Sequence, residues 1–279
     1  MAAPAAGQPA GRRPEGYPEG VPCWADATLP DLAAGKAFYG ELFGWTFDEG
    51  AAELGHYTQA FADGVPVAGL SPQLPGQEVP PAWVLYFSSP DVSATASRIR
   101  ERGGQLLAEP MEVGDLGAML LGWDPGGVLF GAWQPGRHRG FGLVDAPGAF
   151  VWDEVVTRDP AAADTFFPGV FPFTARRMEN DPGEESDYLV WQVGDQMVGG
   201  RYVPPKDAPV SAVPRIEVYY AVPDCDAAVA TVERLGGTVH TGPTDSPFGR
   251  MAALTDPQGA ALSVIDVSTT QGEPPRFDS

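Results

Sequence analysis

The stretch CWADATLPDLAAGKAFYGELFGW, from Cys23 to Trp45, decides the fold, because it returns as VWDEVVTRDPAAADTFFPGVFPF from Val151 to Phe173. Each copy opens on a short alternating run, as a half-buried strand does: Trp24 to Thr28 in the first. An aspartate follows at the position of a helix N-cap, Asp31 or Asp159. Apolar residues then recur at helical spacing, as Ala34, Phe38, Leu42 and Phe43 do. Two further phrases recur as well. SSPDVSATASRIRERGG from Ser88 returns as AVPDCDAAVATVERLGG from Ala221, and GWDPGGVLFGAW from Gly122 returns as LTDPQGAALSVID from Leu254. The offsets are close to constant: 128 from Asp31 to Asp159, 133 from Asp91 to Asp224, and 132 from Asp124 to Asp256. A period so long exceeds that of solenoid repeats and means a duplicated domain.

Each repeat divides again. After the first strand and helix, Trp45 to Phe47, His56 to Phe61 and Pro66 to Leu70 read as three strands, the last two joined by the turn Ala62 to Gly64. The same order follows with Trp83 to Phe87, a helix from Asp91 to Arg102, and strands at Gln105 to Glu109, Gly117 to Trp123 and Val128 to Trp133. The second half repeats both modules from Phe150 and from Ile216. The expected organisation is a disordered leader over 1–19, a first domain over 20–135, a linker over 136–147, a second domain over 148–268 and a disordered tail over 269–279. A polar stretch, Val203 to Val213, separates the modules of the second domain.

The chain has 279 residues, a formal charge of −20 and 43% hydrophobic residues, which suits two domains with real cores. So acidic a surface argues against nucleic-acid and anionic-membrane partners. There is no apolar run long enough for a membrane span and no apolar core in the first twenty residues for a secretory signal. The two cysteines, Cys23 and Cys225, lie in different repeats, and the cytosol is the simpler expected location. No GxSxG, no Walker-type loop and no GxGxxG after a strand occurs.

Paired βαβββ modules, the phrase FYGELFGW from Phe38 to Trp45, helix starts PDVSATA and PDCDAAVA, and closing turns DPGG and DPQG together resemble the vicinal oxygen chelate superfamily. That superfamily includes glyoxalase I, extradiol dioxygenases, fosfomycin-modifying enzymes and bleomycin- or mitomycin-binding resistance proteins. The resemblance covers roughly residues 20 to 268 and is nearest in character to the two-domain glyoxalase-like proteins of actinobacteria, some of them from antibiotic gene clusters. It implies an α+β fold of two tandem domains, each built from two βαβββ modules that form a curved mixed-sheet cup.

The resemblance also implies where a metal would sit. The first-strand ligand position, seven residues before the helix-start aspartate, falls on Trp24, Val84, Trp152 and Glu217. The closing-strand position, seven residues after the hairpin aspartate, falls on Gly131 and Ser263. Only Glu217 is a good ligand, and a divalent ion needs about three. His56, His138 and His240 fall at none of these positions. No metal and no other cofactor is therefore expected.

Trp24 and Trp152 either floor two open cups, where an indole suits a flat aromatic ligand, or fill the former metal cavities as core. Period two places Asp26 on the face of Trp24, Glu154 on that of Trp152 and Tyr219 on that of Glu217. An acid in an apolar cup can act as a general acid or base, or it can be a structural carboxylate paired with an arginine or backbone N–H groups. The expected function is metal-independent binding of an aromatic or apolar metabolite, with Trp24, Trp152, Val84, Gly131, Ser263 and Tyr219 around the ligand. The alternative is a lyase, isomerase or hydroxylase-like enzyme working through Asp26, Glu154 or Glu217. A third reading is a degenerate scaffold for protein association. Polar chemistry is expected in the second cup, which alone carries Glu217. Internal pairing of the domains suits a monomer, and a dimer stays open.

Overall fold

The computed structural model describes residues 11–12, 16–50, 55–73, 76, 80–177, 187–206 and 214–270. The first ten residues of the expected leader, residues 207–213 of the second polar stretch and the tail from 271 lie outside the described residues. After β1 (Gly11–Arg12), the first module is β2 (Pro22–Leu29), α1 (Leu32–Phe43), β3 (Thr46–Phe47), β4 (Thr58–Ala62) and β5 (Val65–Pro72). The second is β6 (Ala82–Ser88), α2 (Val92–Glu101), β7 (Gln105–Glu112), β8 (Gly117–Trp123) and β9 (Leu129–Pro135). The linker contributes β10 (Leu143–Val144). The third module is β11 (Phe150–Val156), α3 (Pro160–Val170), β12 (Thr174–Arg177), β13 (Tyr188–Val193) and β14 (Gln196–Tyr202). The fourth is β15 (Arg215–Ala221), α4 (Cys225–Arg234), β16 (Thr238–Ser246), β17 (Gly249–Thr255) and β18 (Ala261–Asp266).

Two modules make each sheet. The first runs β3-β4-β5-β2-β6-β9-β8-β7 and the second β12-β13-β14-β11-β15-β18-β17-β16, with β10 parallel to β11 and β1 on β10. The opening strands of paired modules run antiparallel at the centre of each sheet, Asp26 opposite Val84 and Glu154 opposite Glu217. All four helices start where their aspartates require. Asp31, Asp91, Asp159 and Asp224 each accept a backbone N–H from the first turn at 2.9 to 3.0 Å, which stabilises each helix by about 1 kcal/mol. His56, read as opening a strand, stands in the preceding turn with φ 64°.

The residues expected to form a free leader are partly engaged. Gly11–Arg12 pair with Leu143–Val144, Tyr17 donates to the Phe141 carbonyl at 2.8 Å, and Glu19 bridges to Arg98 at 2.6 Å. The reason is apolar: the Tyr17 ring meets Phe141 edge-on, 6.4 Å between centroids, and covers it.

The convex backs of the two sheets face each other. β6 lies against β15, α1 packs on α4 and α2 on α3. Residues of alternate parity on the central strands, such as Ala25, Ala27, Trp83, Leu85, Val155, Val218 and Tyr220, fill one core shared by both halves. Trp83 and Tyr220 meet across it with centroids 5.3 Å apart, and Phe87 meets Phe171 at 4.9 Å. A polar relay runs through this layer. Trp83 Nε1 donates to Tyr39 Oη at 3.0 Å, and Tyr39 donates to Asp256 Oδ2 at 2.9 Å. By the repeat, Phe167 stands where Tyr39 does and Asp124 where Asp256 does. Asp124 Oδ2 is buried with no hydrogen-bond partner among the described residues, and burial raises its carboxyl above the usual range. Tyr39→Phe would leave the Asp256 oxygen and the Trp83 N–H unpartnered together. It is expected to cost about 1–3 kcal/mol, read as a lower urea midpoint at unchanged slope.

Candidate functional site

The concave faces open away from the shared core, and the strand alternation aims Trp24 and Asp26 into the first cup. Trp24 Nε1 donates to Tyr57 Oη at 2.6 Å, Tyr57 donates to Asp26 Oδ2 at 3.2 Å, and Tyr86 donates to Asp26 Oδ1 at 3.4 Å. Glycine makes room for both tyrosines. Gly69 stands opposite Asp26 in the ladder, and any Cβ there would collide with the Tyr57 ring. Gly131 stands opposite Tyr86, and a Cβ there would collide with the Tyr86 ring. The cup encloses about 700 Å³, lined among others by Trp24, Asp26, Tyr86, Met119, Trp133 and His138.

Asp26 has no salt bridge among the described residues. Burial pushes its carboxyl up to about 7, partly offset by the hydrogen bonds from Tyr86 and Tyr57. His138 reaches the cup from the linker. Its ring meets Trp24 edge-on with centroids 4.3 Å apart and Trp133 at 5.4 Å. Burial pushes the imidazole down to about 4, and Nε2 has no hydrogen-bond partner among the described residues.

The second cup repeats the polar core of the first. Trp152 Nε1 donates to Tyr188 Oη at 3.2 Å, and Tyr219 donates to Glu154 Oε2 at 2.9 Å. The Tyr188 ring lies over Gly200, opposite Glu154. Here, however, Trp152, Tyr188, Tyr219, Phe248, Met251 and Ile265 pack into a closed apolar cluster. What remains is about 340 Å³ beside Glu154, Arg215, Glu217, Tyr219 and Ser263, and Trp152 does not line it. Both indoles are buried in core, but Trp24 also lines a cavity whereas Trp152 serves as core alone.

Glu217 is bound on both oxygens. Arg215 Nε sits 2.5 Å from Oε2 and Ser263 Oγ donates to Oε1 at 2.7 Å. Glu154 faces Glu217 directly across the ladder, where two carboxylates repel. The guanidinium of Arg215 meets the charge of Glu217, while burial raises the Glu154 carboxyl. A structural carboxylate was expected to pair with an arginine or backbone N–H groups; among the described residues Asp26 and Glu154 instead accept from tyrosine hydroxyls. On the opposite face of β11, Asp153 is buried in the shared core with neither oxygen hydrogen-bonded among the described residues. Burial, then the neighbouring Glu154 charge, pushes its carboxyl well above the usual range.

The donor set does not fit a divalent ion. Trp24, Val84 and Gly131 offer none at the first cup's mapped positions, and at the second Glu217 is engaged by Arg215 and Ser263. No group of three or more His, Cys, Asp or Glu suited to a metal occurs among the described residues. His56 lies in its turn and His240 on β16 at the end of the second sheet. Sequence reasoning left Tyr57, Tyr86 and Tyr188 unplaced and did not single out Arg215 or assign His138 to the cup. Arg215 was readable as the same-face neighbour two residues before Glu217.

Paired βαβββ modules around outward-facing cups define a class of proteins, and comparison with known proteins gives the family. The profile described as Glyoxalase/Bleomycin resistance protein/Dioxygenase superfamily matches residues 24–131 and 149–264, and the chain belongs to that superfamily. CFP32 of Mycobacterium bovis, which bears a glyoxylase name, is 38% identical over 261 residues, covering 91% of this chain and 98% of its own. The anthracycline biosynthesis protein DnrV of Streptomyces peucetius is 36% identical over 274 residues, covering 90% and 94%. Among solved structures, the Mn(II)-bound glyoxalase from Novosphingobium aromaticivorans superposes with a TM-score of 0.59 at 17% identity, covering 92% of this chain and 87% of its own. The 2,2',3-trihydroxybiphenyl 1,2-dioxygenase of Sphingomonas wittichii superposes at 0.60 with 12% identity, covering 93% and 92%. These two likenesses show the fold.

The buried carboxyl makes a pH prediction. A carboxyl raised from 3.8 to about 7 holds its proton in the fold, so its contribution to stability is complete below pH 4 and is lost as pH rises through 7. His138 works in the other direction, its contribution being lost as pH falls from 6.5 towards 4. Comparison with Asp26→Asn isolates the first effect, since the histidine is common to both. The Tm of Asp26→Asn relative to the parent is expected to rise from pH 4 to about pH 7 and level off above it in thermal melts, and a flat difference across that range would refute the raised carboxyl.

Proposed function

We propose that this protein binds a planar aromatic metabolite in its first cup, without a metal ion. The observation that carries the reading is the 700 Å³ cavity with Trp24 in its wall and the Asp26 carboxyl held between two tyrosine hydroxyls. That volume lies in the range of small-molecule sites, roughly 300–1,000 Å³. Trp24 and Trp133 offer π-faces to a flat ring system, and Asp26 supplies the polar anchor. Below pH 7 Asp26 donates its proton to a ligand carbonyl, and above it accepts from a hydroxyl. The names of the Streptomyces relatives support the ligand class, since an anthracycline is a flat polycycle bearing hydroxyl and quinone groups. Glu217, on which the second cup was favoured in the sequence, is engaged by Arg215 and Ser263, so we place the working site in the first domain. A cytosolic setting belongs to the same reading, with Cys23 and Cys225 buried and free.

One observation favours a second reading, an enzyme. A buried carboxyl that titrates near 7 suits proton transfer to and from a bound carbonyl compound. Asp26 would then be the acid–base group of a metal-free lyase, isomerase or hydroxylase-like reaction.

Planar aromatic ligands are expected to quench tryptophan fluorescence saturably. Trp24→Ala should weaken that binding by roughly 1–3 kcal/mol. Trp152→Ala should leave affinity unchanged and instead cost about 3–5 kcal/mol of stability. Saturable quenching that survives Trp24→Ala would place the ligand elsewhere. Elemental analysis of the purified protein is expected to find well under one Zn, Fe, Mn or Ni per chain, and a tightly held stoichiometric metal would overturn the metal-free reading.

A further inference from the structure

The space left beside Glu217 is a cavity in its own right, and its walls differ from those of the first cup. Strand pairing shows which side chains it receives, because residues paired across a ladder share a face. Tyr219 pairs with Ser263, Ser263 with Ala253 and Ala253 with Thr241, so Thr241 stands on the concave face with Tyr219. In the next row Ile265 pairs with Met251 and Met251 with Thr244. On the other side of the cup, Val156 pairs with both Tyr202 and Arg215, on the face that carries Glu154. Tyr202, Thr241, Thr244 and Arg215 thus converge on the same 340 Å³. Their polar groups are within reach of a ligand. Thr241 and Thr244 are exposed, Tyr202 is half-buried and the Arg215 side chain is 31% exposed. None of the three hydroxyls makes a hydrogen bond among the described residues. Charge in this cavity is already balanced. Arg215 meets Glu217, and burial raises the Glu154 carboxyl and so favours its neutral form. A charged ligand would bring an ion without a counterpart, whereas a neutral one has only to match hydrogen bonds.

We infer that the second cup is a separate binding site for a small, neutral, polyhydroxylated ring, a monosaccharide or a cyclitol. Hydroxyls around the edge of such a ring each donate and accept, as do the hydroxyls of Tyr202, Thr241 and Thr244 that meet them. The outer guanidinium of Arg215 adds a donor on the opposite wall. Between the polar groups, Val156, Met251 and the Tyr202 ring offer apolar surface to the C–H faces of the ligand. Size points the same way. The cavity lies at the lower end of the range for small-molecule sites, roughly 300–1,000 Å³, and at 340 Å³ against 700 Å³ it has half the room of the first cup. It suits one ring and not a polycycle. Because the two cups open away from the shared core, their ligands are separate molecules. This site goes beyond the aromatic site of the first cup and does not depend on it.

The test titrates glucose, galactose, mannose and rhamnose into protein carrying ¹³C at its methionine and threonine methyls, each to about 50 mM, well past a millimolar Kd. At least one sugar is expected to shift the methyls of Thr241, Thr244 and Met251 saturably, while Met119 of the first cup stays still. Cyclohexanol, which lacks the other hydroxyls, and glucuronate, which adds a carboxylate, are expected to bind roughly tenfold more weakly. Thr241→Val, Thr244→Val and Tyr202→Phe each keep the shape and remove one hydroxyl. Each is expected to weaken the sugar roughly fivefold and to leave the thermal melt unchanged, since none of these hydroxyls has an internal partner to lose. The proposal is overturned if none of the four sugars shifts the methyls saturably, or if affinity survives all three variants. It is overturned equally if glucuronate or cyclohexanol binds as tightly as the sugars, which would make the cavity a carboxylate site or an apolar crevice. Tryptophan quenching reports the first cup and these methyl shifts report the second, so either reading can fail alone.

Discussion

The back-to-back contact of the two sheets is the constraint on which the rest depends. Each central strand has two faces, and one of them is committed to the layer where Trp83 meets Tyr220 and Phe87 meets Phe171. Burial of that layer leaves the other face of every strand to line a cup. The choice of face is fixed by strand register, since a one-residue slip would exchange the two sets of side chains. Trp24 and Asp26 point outward because Ala25 and Ala27, fully buried, point inward.

The tyrosine–acid arrangement is built from the same logic. It needs one residue from the first strand of a module, one from its hairpin and one from the first strand of the next module, as with Asp26, Tyr57 and Tyr86. The hydroxyls hold a carboxyl that burial makes reluctant to ionise, without the full charge that an arginine would bring. The second cup keeps these partners in Glu154, Tyr188 and Tyr219, but spends its interior on packing. The two cups thus share a polar floor and differ in what stands above it: open space in one, Phe248 and Met251 in the other.

Much of the fold was legible in the sequence because it lives in local signals, the helix caps repeated in all four modules and the closing turns in two. The aspartate caps, the closing Asp-Pro turns and the strand alternation are each set by neighbours in the chain, and all appear where the residues put them. The candidate site was legible only in part. Trp24, Asp26, Trp152, Glu154 and Glu217 could be aimed by period two, but whether an indole meets space or side chains depends on β17 and the loop holding Phe248, far away in the chain. Tyr57 and Tyr188 were visible as strand aromatics, and their placement hinged on Gly69 and Gly200 opposite the acids, a pairing that needs the ladder. His138 carried no periodic signal, because a linker has none. The leader was read as free from its composition, yet Tyr17 finds Phe141, a contact that no local pattern announces.

The broken symmetry of the polar relay has one more consequence. Tyr39 satisfies Asp256, whereas its counterpart Phe167 leaves an Asp124 oxygen alone. The two halves are therefore no longer interchangeable parts. A chain assembled from two copies of the first half would have to place Asp124 opposite a tyrosine, and one built from two copies of the second would lose the relay altogether. Divergence has been written into the hidden seam as well as into the visible cups.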